Sequence, residues 1–298
     1  MKLIVTGGRG FIGSHFVEIA LEKGDTVIDY DIMTYCSNET LPCDSNPNYK
    51  HIKQDICDIT HLPTCDVLIN FAAETHVDNS INDTTPFLKS NVIGVHNLLE
   101  ILRGKPAHER PLFIQISTDE VYGDRPEGSF VETDRLTPSN PYSSSKASAE
   151  MFVVGYHRTY GMDYLITRSS NNYGPRQYQE KLIPKILECI KTNKKIPLHG
   201  DGSYIRDWIY VKDNANAIYT LIENKCKNTV YNIGANNHMS NLEVTLDILK
   251  SFDKGKEGIQ FVENRWGQDL RYSLDTSKII KYTKWSPTYS KGIFKWWK

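Results

Sequence analysis

Between residues 117 and 146 the chain carries a hydroxyl, two adjacent carboxylates, a phenol and an amine: Ser117-Thr118-Asp119-Glu120, then Tyr142-Ser143-Ser144-Ser145-Lys146. Such a set can run a hydride transfer and an acid/base elimination in one pocket. A Tyr and a Lys four positions apart share a helix face, which brings the ammonium near the phenol. A neighbouring cation favours the phenolate and draws a tyrosine pKa from about 10 towards neutrality, as a general base requires. The two carboxylates go beyond what a simple hydride transfer needs. Adjacent carboxyls can divide into an acid and a base, because like charge raises one pKa.

These groups need elements to hold them. The carboxylates end the apolar run Leu112-Phe113-Ile114-Gln115-Ile116, which reads as a buried strand. Neighbouring side chains of a strand point to opposite faces. Asp119 and Glu120 can therefore serve one substrate only if the backbone leaves strand geometry at about Thr118, and Val121-Tyr122-Gly123-Asp124 reads as a loop that permits it. Taken singly, an Asp-Glu pair reads as a solvated turn and Tyr-x-x-x-Lys as an exposed helix face. Together, downstream of a nucleotide-binding signal, they read as a site.

That signal opens the chain. The strand Lys2–Thr6 leads into Gly7-Gly8-Arg9-Gly10-Phe11-Ile12-Gly13, and an amphipathic helix follows from about Ser14 to Glu22. Glycines 7, 10 and 13 allow a tight turn and let backbone N–H groups approach a pyrophosphate at the helix N-terminus. A second strand, Thr26–Tyr30, ends at Asp31, whose carboxylate can bond ribose hydroxyls and would repel a 2′-phosphate; the expected cofactor is NAD. Asp29 competes for that role but sits inside the strand. Arg9 could attract the phosphate of NADP, and is read instead as solvated.

Composition limits the alternatives. The chain has 298 residues, 39% apolar and 24% charged, with net charge −1. No basic excess suggests nucleic acid, and no apolar stretch is long enough to span a membrane. Six scattered cysteines lack any Cys-x-x-Cys pattern and read as free thiols of a cytoplasmic protein; Cys36, Cys43 and His51 fit no zinc spacing, and no metal is expected. Residues 1–6 read as a strand and not as a secretory segment.

Strand and helix signals alternate through the first half, at 51–54, 67–71, 87–102, 142–160 and 164–168. They predict an α/β fold, a Rossmann-type doubly wound parallel sheet with a smaller C-terminal substrate-binding lobe. The expected NAD-binding domain is 1–168 plus about 206–234, with 208–222 returning as strand and helix; 169–205 and 235–298 form the lobe. Asp31, Asp55, Ala72-Ala73-Glu74, Thr118-Asp119-Glu120 and Ser169-Ser170-Asn171 fall at strand ends, where such sheets bind ligands.

Several motifs together resemble the nucleotide-sugar 4,6-dehydratases of the extended short-chain dehydrogenase/reductase superfamily. They are Thr6–Gly13, Ala72-Ala73-Glu74-Thr75-His76-Val77-Asp78, Ser117–Gly123, Pro141–Lys146, Asn171-Asn172-Tyr173-Gly174-Pro175, Glu180–Pro184 and Ile205-Arg206-Asp207-Trp208. The resemblance implies catalysis by Thr118, Asp119, Glu120, Tyr142 and Lys146. It implies NAD contacts from Gly7, Gly10, Phe11, Ile12, Gly13, Asp31, Asp55, Ile56, Ala72, Ala73, Ser90, Tyr142, Lys146 and Asn172. It implies substrate contacts from Thr75, Asn171, Glu180, Lys181, Leu182, Arg206, Asn241, Arg265 and Tyr272. Arg206 and Arg265 suit a diphosphate, or else an interdomain ion pair; Asn241 equally suits a helix N-cap, and His76 a supporting role.

The implied reaction oxidises C4 of a nucleoside-diphosphate glucose, eliminates water across C5–C6 and returns the hydride to C6. The rival readings are a 4-epimerase or decarboxylase on the same scaffold, and a silent NAD sensor. Thr34–Asn38, Thr75–Ser80 and Phe261–Arg265 look similar to plant-type rhamnose synthases and tilt the substrate to UDP-glucose over dTDP-glucose. A homodimer through helices near 87–102 and 142–160 is also implied. The chain departs from the family pattern at Arg9, where alanine is common, and at Arg265-Trp266-Gly267-Gln268-Asp269.

Overall fold

A computed structural model describes residues 1–264 and 269–297. Its strands are β1 (Lys2–Thr6), β2 (Thr26–Asp31), β3 (Tyr49–Lys53), β4 (Val67–Asn70), β5 (Leu112–Thr118), β6 (Tyr164–Ser169), β7 (Asn171–Tyr173), β8 (Ile196–His199), β9 (Ile205–Tyr210), β10 (Thr229–Ile233), β11 (His238–Ser240) and β12 (Ile259–Val262). Seven of them form one parallel sheet in the order β3-β2-β1-β4-β5-β6-β10. Successive strands are added outward on one side from β1 to β3 and on the other from β4 on, and this switch between the parallel neighbours β1 and β4 opens a crevice at their carboxyl ends.

Both faces of this sheet are buried. Leu3, Val5, Ile69 and Ile114 meet Phe16, Val17 and Ala20 of the helix Phe11–Glu22 on one side. On the other, Ile4, Leu68, Phe113 and Ile166 meet Leu98, Leu102, Ala149 and Val153 from the helices Gly94–Arg103 and Pro141–Tyr160. Strands buried on both faces read as continuous apolar runs, so the parallel sheet was visible in the sequence.

The second half departs from the expected partition. β9 does not return to the large sheet; it sits between β7 and β11 in a three-stranded sheet, while β8 and β12 form a separate pair. The helix Val211–Glu223 does return, placing Ile218, Leu221 and Ile222 against the first helix, with the Tyr219 ring 6.2 Å from that of Phe16. The strand that follows it home is β10. The late helix Ser277–Thr283 also docks on this side, since Ile279 and Trp285 are buried in the same core. Trp296 and Trp297 pack around Tyr173 and Phe252 and close the lobe's core.

One irregularity positions the site. The stretch read as helix 87–102 is π-helical from Leu88 to Ile93 before becoming α-helical at Gly94. Within the wide turn lies buried Asn91. Its amide donates to the Glu74 carbonyl and to Ser145 Oγ, both at 2.9 Å, and its Oδ1 accepts from Glu74 N–H at 2.9 Å. One side chain thus ties the loop after β4 to the helix carrying Tyr142 and Lys146.

Candidate active site

β5 ends at Thr118, and a 3₁₀ turn covers Asp119–Tyr122. The Thr118 hydroxyl accepts from Glu120 N–H at 3.3 Å and donates to Asp119 Oδ1 at 3.1 Å, which sets the break in strand geometry that the paired carboxylates require. Asp119 is buried and Glu120 reaches the wall of the larger cavity. Burial raises the Asp119 carboxyl well above the usual carboxylate range; Glu120's charge raises it further, and Arg206 opposes. Burial raises Glu120 too, against Arg206 and Lys181, which hold it down. Asp119 Oδ2 has no hydrogen-bond partner among the described residues. The pair is therefore built for unequal protonation, with Asp119 the better placed to keep a proton.

The helix Pro141–Tyr160 starts with Asn140 as its cap: Asn140 Oδ1 accepts from Ser143 N–H at 2.9 Å, and Ser143 Oγ accepts from Asn140 N–H at 3.2 Å. Pro141 occupies the first helical position, where its missing N–H costs nothing. Tyr142 and Lys146 are both buried. The expected depression of the tyrosine pKa is not found. Burial, then the charges of Glu120 and Asp119, push the phenol above its ordinary value, with Thr118 opposing. The Lys146 ammonium donates to the Ile116 carbonyl at 2.6 Å. Burial lowers its pKa to about 8, against the charge of Glu150.

A cleft beside the glycine loop is lined by Gly7, Gly10, Asp31, Asp55, Ile56, Ala72, Ala73 and Ser90, together with Thr34, Cys36 and Ser37, which the sequence did not assign to the cofactor. The loop fits a dinucleotide. Gly7 has φ +72° and lies so close to Ala72 that a Cβ would stand 2.6 Å from its nitrogen; a Cβ on Gly13 would meet the Gly7 carbonyl at 2.3 Å. Side chains at these positions would collide with the backbone of the loop and of the strand end beside it, and so break the tight turn that shapes a pyrophosphate cradle. Asp29 is a structural group, accepting from Gly8 N–H and from the Tyr49 hydroxyl, both at 2.8 Å. Asp31 stands at the end of β2 as expected, accepting from Met33 N–H at 2.8 Å. The side chains of Phe11 and Ile12 pack on the lobe's core. Arg9 is not solvated: it is buried, bonded to the loop after β2 and lies against the Tyr49 ring.

The larger cavity, about 430 Å³, lies across the loop after β4 and is lined by Thr75, Asn171, Glu180, Lys181, Leu182, Arg206, Asn241 and Tyr272, with Glu120 at its wall. Its size suits a nucleotide-sized ligand. Arg265 lies outside the described residues. Asn172, expected at the cofactor, lines this cavity instead. The side-chain oxygens of Asn171, Asn172 and Gln177 are buried there without hydrogen-bond partners among the described residues, as groups awaiting a polar ligand would be. Arg206 donates to the main-chain oxygens of Ile205 at 2.8 Å and Asp269 at 2.9 Å, and its guanidinium lies over Tyr272, 4.4 Å from the ring centre. The helix cap is Ser240 and not Asn241. His76 caps the short helix Val77–Asn82 at the cavity edge, 4.0 Å from Glu180. Asn140 and Gln177 line the cavity and were missed; the Asn-Pro start of a helix could have revealed the first.

The GDP-mannose 4,6 dehydratase family model matches residues 4–292. The chain is 42% identical to the low-salt glycan biosynthesis protein Agl12 of Haloferax volcanii, over 97% of this chain and 94% of that one. It is 39% identical to a dTDP-glucose 4,6-dehydratase of Salmonella typhimurium, over 99% and 91% of the two chains. Among solved structures, the dTDP-glucose 4,6-dehydratase DesIV of Streptomyces venezuelae, with NAD and TYD bound, superposes with TM-score 0.93 at 38% identity, covering 97% of this chain and 93% of that one. A UDP-glucuronic acid 4-epimerase of Bacillus cereus reaches TM-score 0.92 at 28% identity, covering 97% and 95%.

Proposed function

The chain belongs to the nucleotide-sugar 4,6-dehydratases, NAD-dependent hydro-lyases of the extended short-chain dehydrogenase/reductase superfamily, and we propose that its substrate is dTDP-glucose. The observation that carries the dehydratase reading is Asp119 and Glu120 side by side on the turn after β5, both with raised pKa, one against the cavity. An epimerase shares the fold but has no water to expel, and needs no such pair. The tilt to UDP-glucose rested on three short segments, Thr34–Asn38, Thr75–Ser80 and Phe261–Arg265. The relatives named as dTDP-glucose 4,6-dehydratases match nearly the whole chain and support the thymidine nucleotide instead.

Bound NAD would supply the hydride acceptor for C4 and return that hydride to C6. Tyr142, in its ionised form, takes the proton of the 4-hydroxyl, and Thr118 orients that exchange from the turn beside it. The 4-ketone acidifies the C5 hydrogen, so oxidation comes first. Glu120 removes the C5 proton while Asp119, holding its own, donates to the departing 6-hydroxyl. Glu120 then returns a proton to C5. A protonated Asp119 also removes one of the two negative charges that keep Tyr142 a phenol, so the acid's proton helps the first step as well.

Incubation with dTDP-glucose and UDP-glucose, followed by mass spectrometry of the sugar, tests the reading. A product lighter by one water, formed from dTDP-glucose in preference and without net NADH, is the expected result. An unchanged mass with inverted C4 means an epimerase.

Two further expectations follow from the same reading. Lys146 would hold the nicotinamide ribose more tightly while charged, and its pKa is lowered to about 8 by burial. It is charged below that value, so NAD affinity should fall as pH rises through about 8. A fluorescence titration that stays flat from pH 7 to 9.5 removes Lys146 from that role. The second concerns assembly. Leu88, Ile93 and Met151 are each 53–55% exposed on the two helices expected to form a dimer, and Phe152 is 39% exposed. Light scattering should give twice 34.1 kDa, and Met151→Glu should shift it to the monomer. Cytoplasmic operation fits a chain whose six cysteines stand as free thiols.

A further inference from the structure

Arg9 interrupts a loop of small residues, and its side chain reaches away from the crevice. Its Nη1 donates to the Glu39 carbonyl at 2.8 Å and the Asn38 carbonyl at 3.3 Å, and the guanidinium forms an ion pair with Asp44. Its backbone carbonyl accepts from both the main-chain and the side-chain N–H of Asn38, each at 2.8 Å. Its backbone N–H donates to Asp31 Oδ2 at 3.0 Å. The guanidinium carbon lies 5.9 Å from the centre of the Tyr49 ring, on β3. One residue therefore joins the glycine loop, the end of β2, β3 and the segment 38–44.

That segment continues the wall of the cofactor cleft, which Thr34, Cys36 and Ser37 line. Ser37 Oγ donates to Asp31 Oδ1 at 3.1 Å, so the wall is fixed at one end by Asp31 and at the other by Arg9. Asp44 adds a second hold, accepting from Leu41 N–H at 2.8 Å. The segment contributes few apolar anchors of its own: Leu41 and Cys43 are buried, while Ser37 to Thr40 are half-buried or exposed. Without the arginine side chain the Asn38 bonds to the loop carbonyl and the Ser37 bond to Asp31 remain, but Glu39 and Asp44 lose their tie to the loop and the stretch 39–44 can open more easily.

We propose that Arg9 and Asp44 form a latch that holds the segment 36–44 against the glycine loop and slows the escape of bound NAD. The proposal rests on the NAD reading of the cleft. It gives this chain's departure from alanine a purpose suited to a redox-neutral cycle, in which a cofactor lost after the first step strands a ketone. A guanidinium is needed because its planar fork meets two carbonyls and a carboxylate at once.

The test is the rate at which NAD leaves the purified holoprotein, followed by fluorescence after mixing with excess etheno-NAD. Arg9→Ala and Asp44→Asn should each release NAD about tenfold faster, as expected for losing charge-assisted bonds at a partly exposed site. The double variant should fall short of the product of the two single effects, because the two side chains share one ion pair. Arg9→Lys should recover only part of the delay. Activity lost on dilution of the variants should return when NAD is added, which a merely structural defect would not allow. Should Arg9→Ala destabilise the fold, Asp44→Asn, on the outer side of the pair, still decides. Parent-like release from both single variants overturns the latch alone. A parent protein that neither carries nor takes up NAD overturns the cofactor reading, and the latch with it.

Discussion

Glu120→Gln should leave a protein that oxidises the sugar at C4 and stops there. The amide keeps the shape of the side chain and its place at the cavity wall, but it cannot accept the C5 proton. Loss of a general base costs about 10²–10⁴ in rate, so overall turnover should fall by about a thousandfold. The first step should survive, because the glutamate has no part in taking the 4-hydroxyl proton. It should even gain slightly, since the glutamate's charge is one of the causes holding Tyr142 in its neutral form. Single-turnover mixing with dTDP-glucose should then show NADH absorbance that rises and persists, where the parent shows at most a transient. If the variant releases water at the parent's rate, the base lies elsewhere.

Asp119 and Glu120 owe their division of labour to position more than to chemistry. Both are carboxyls and both are raised by burial. Asp119 stands on the inner side of the turn, with Glu120's charge beside it and Asp207 adding to the effect. Glu120 faces the cavity with two cations opposing the shift, Arg206 and Lys181. Arg206 was read as a diphosphate partner. Its bonds to the Ile205 and Asp269 carbonyls fix its charge beside these carboxyls before any substrate arrives. A dehydratase needs one carboxyl to give a proton and its neighbour to take one, and this asymmetry supplies the difference.

The parallel sheet and the acid/base turn were legible because their information is local. β1, β4 and β5 are short apolar runs, and the glycine triplet, Asp31, Thr118-Asp119-Glu120 and Tyr142-x-x-x-Lys146 each occupy one place in the chain. Readings failed where partners lie far apart. Arg9 looked solvated because Asp44, 35 positions on, belongs to no pattern with it. The π-helical turn at Leu88–Ile93 was read as plain helix because Asn91's partners, Glu74 and Ser145, are 17 and 54 residues away. β7 and β11 are three residues long and partly polar, so periodicity had too few positions to register them. β9 is apolar enough to pass for a strand of the main sheet. Only its pairing with β7 and β11 assigns it to the lobe.

Tyr142→Phe should stop the reaction before any NADH appears, the opposite signature to Glu120→Gln. The phenol is buried at the start of the catalytic helix and its ring packs edge-on to Phe87, centres 6.3 Å apart. Phenylalanine keeps this packing and removes only the oxygen, so a folding defect is not the expected cause of lost activity. The loss should again be about a thousandfold, the scale of a general base, now with a flat absorbance trace and substrate recovered unchanged. The raised phenol pKa sharpens the expectation. A tyrosine that must lose its proton against burial and two carboxyls needs a cation nearby, and the Lys146 ammonium is buried on the same helix. Lys146→Met should therefore reproduce the flat trace of Tyr142→Phe and also weaken NAD binding. A Tyr142→Phe protein that still builds up NADH would assign the first proton to another group, with Thr118 the nearest hydroxyl on the turn.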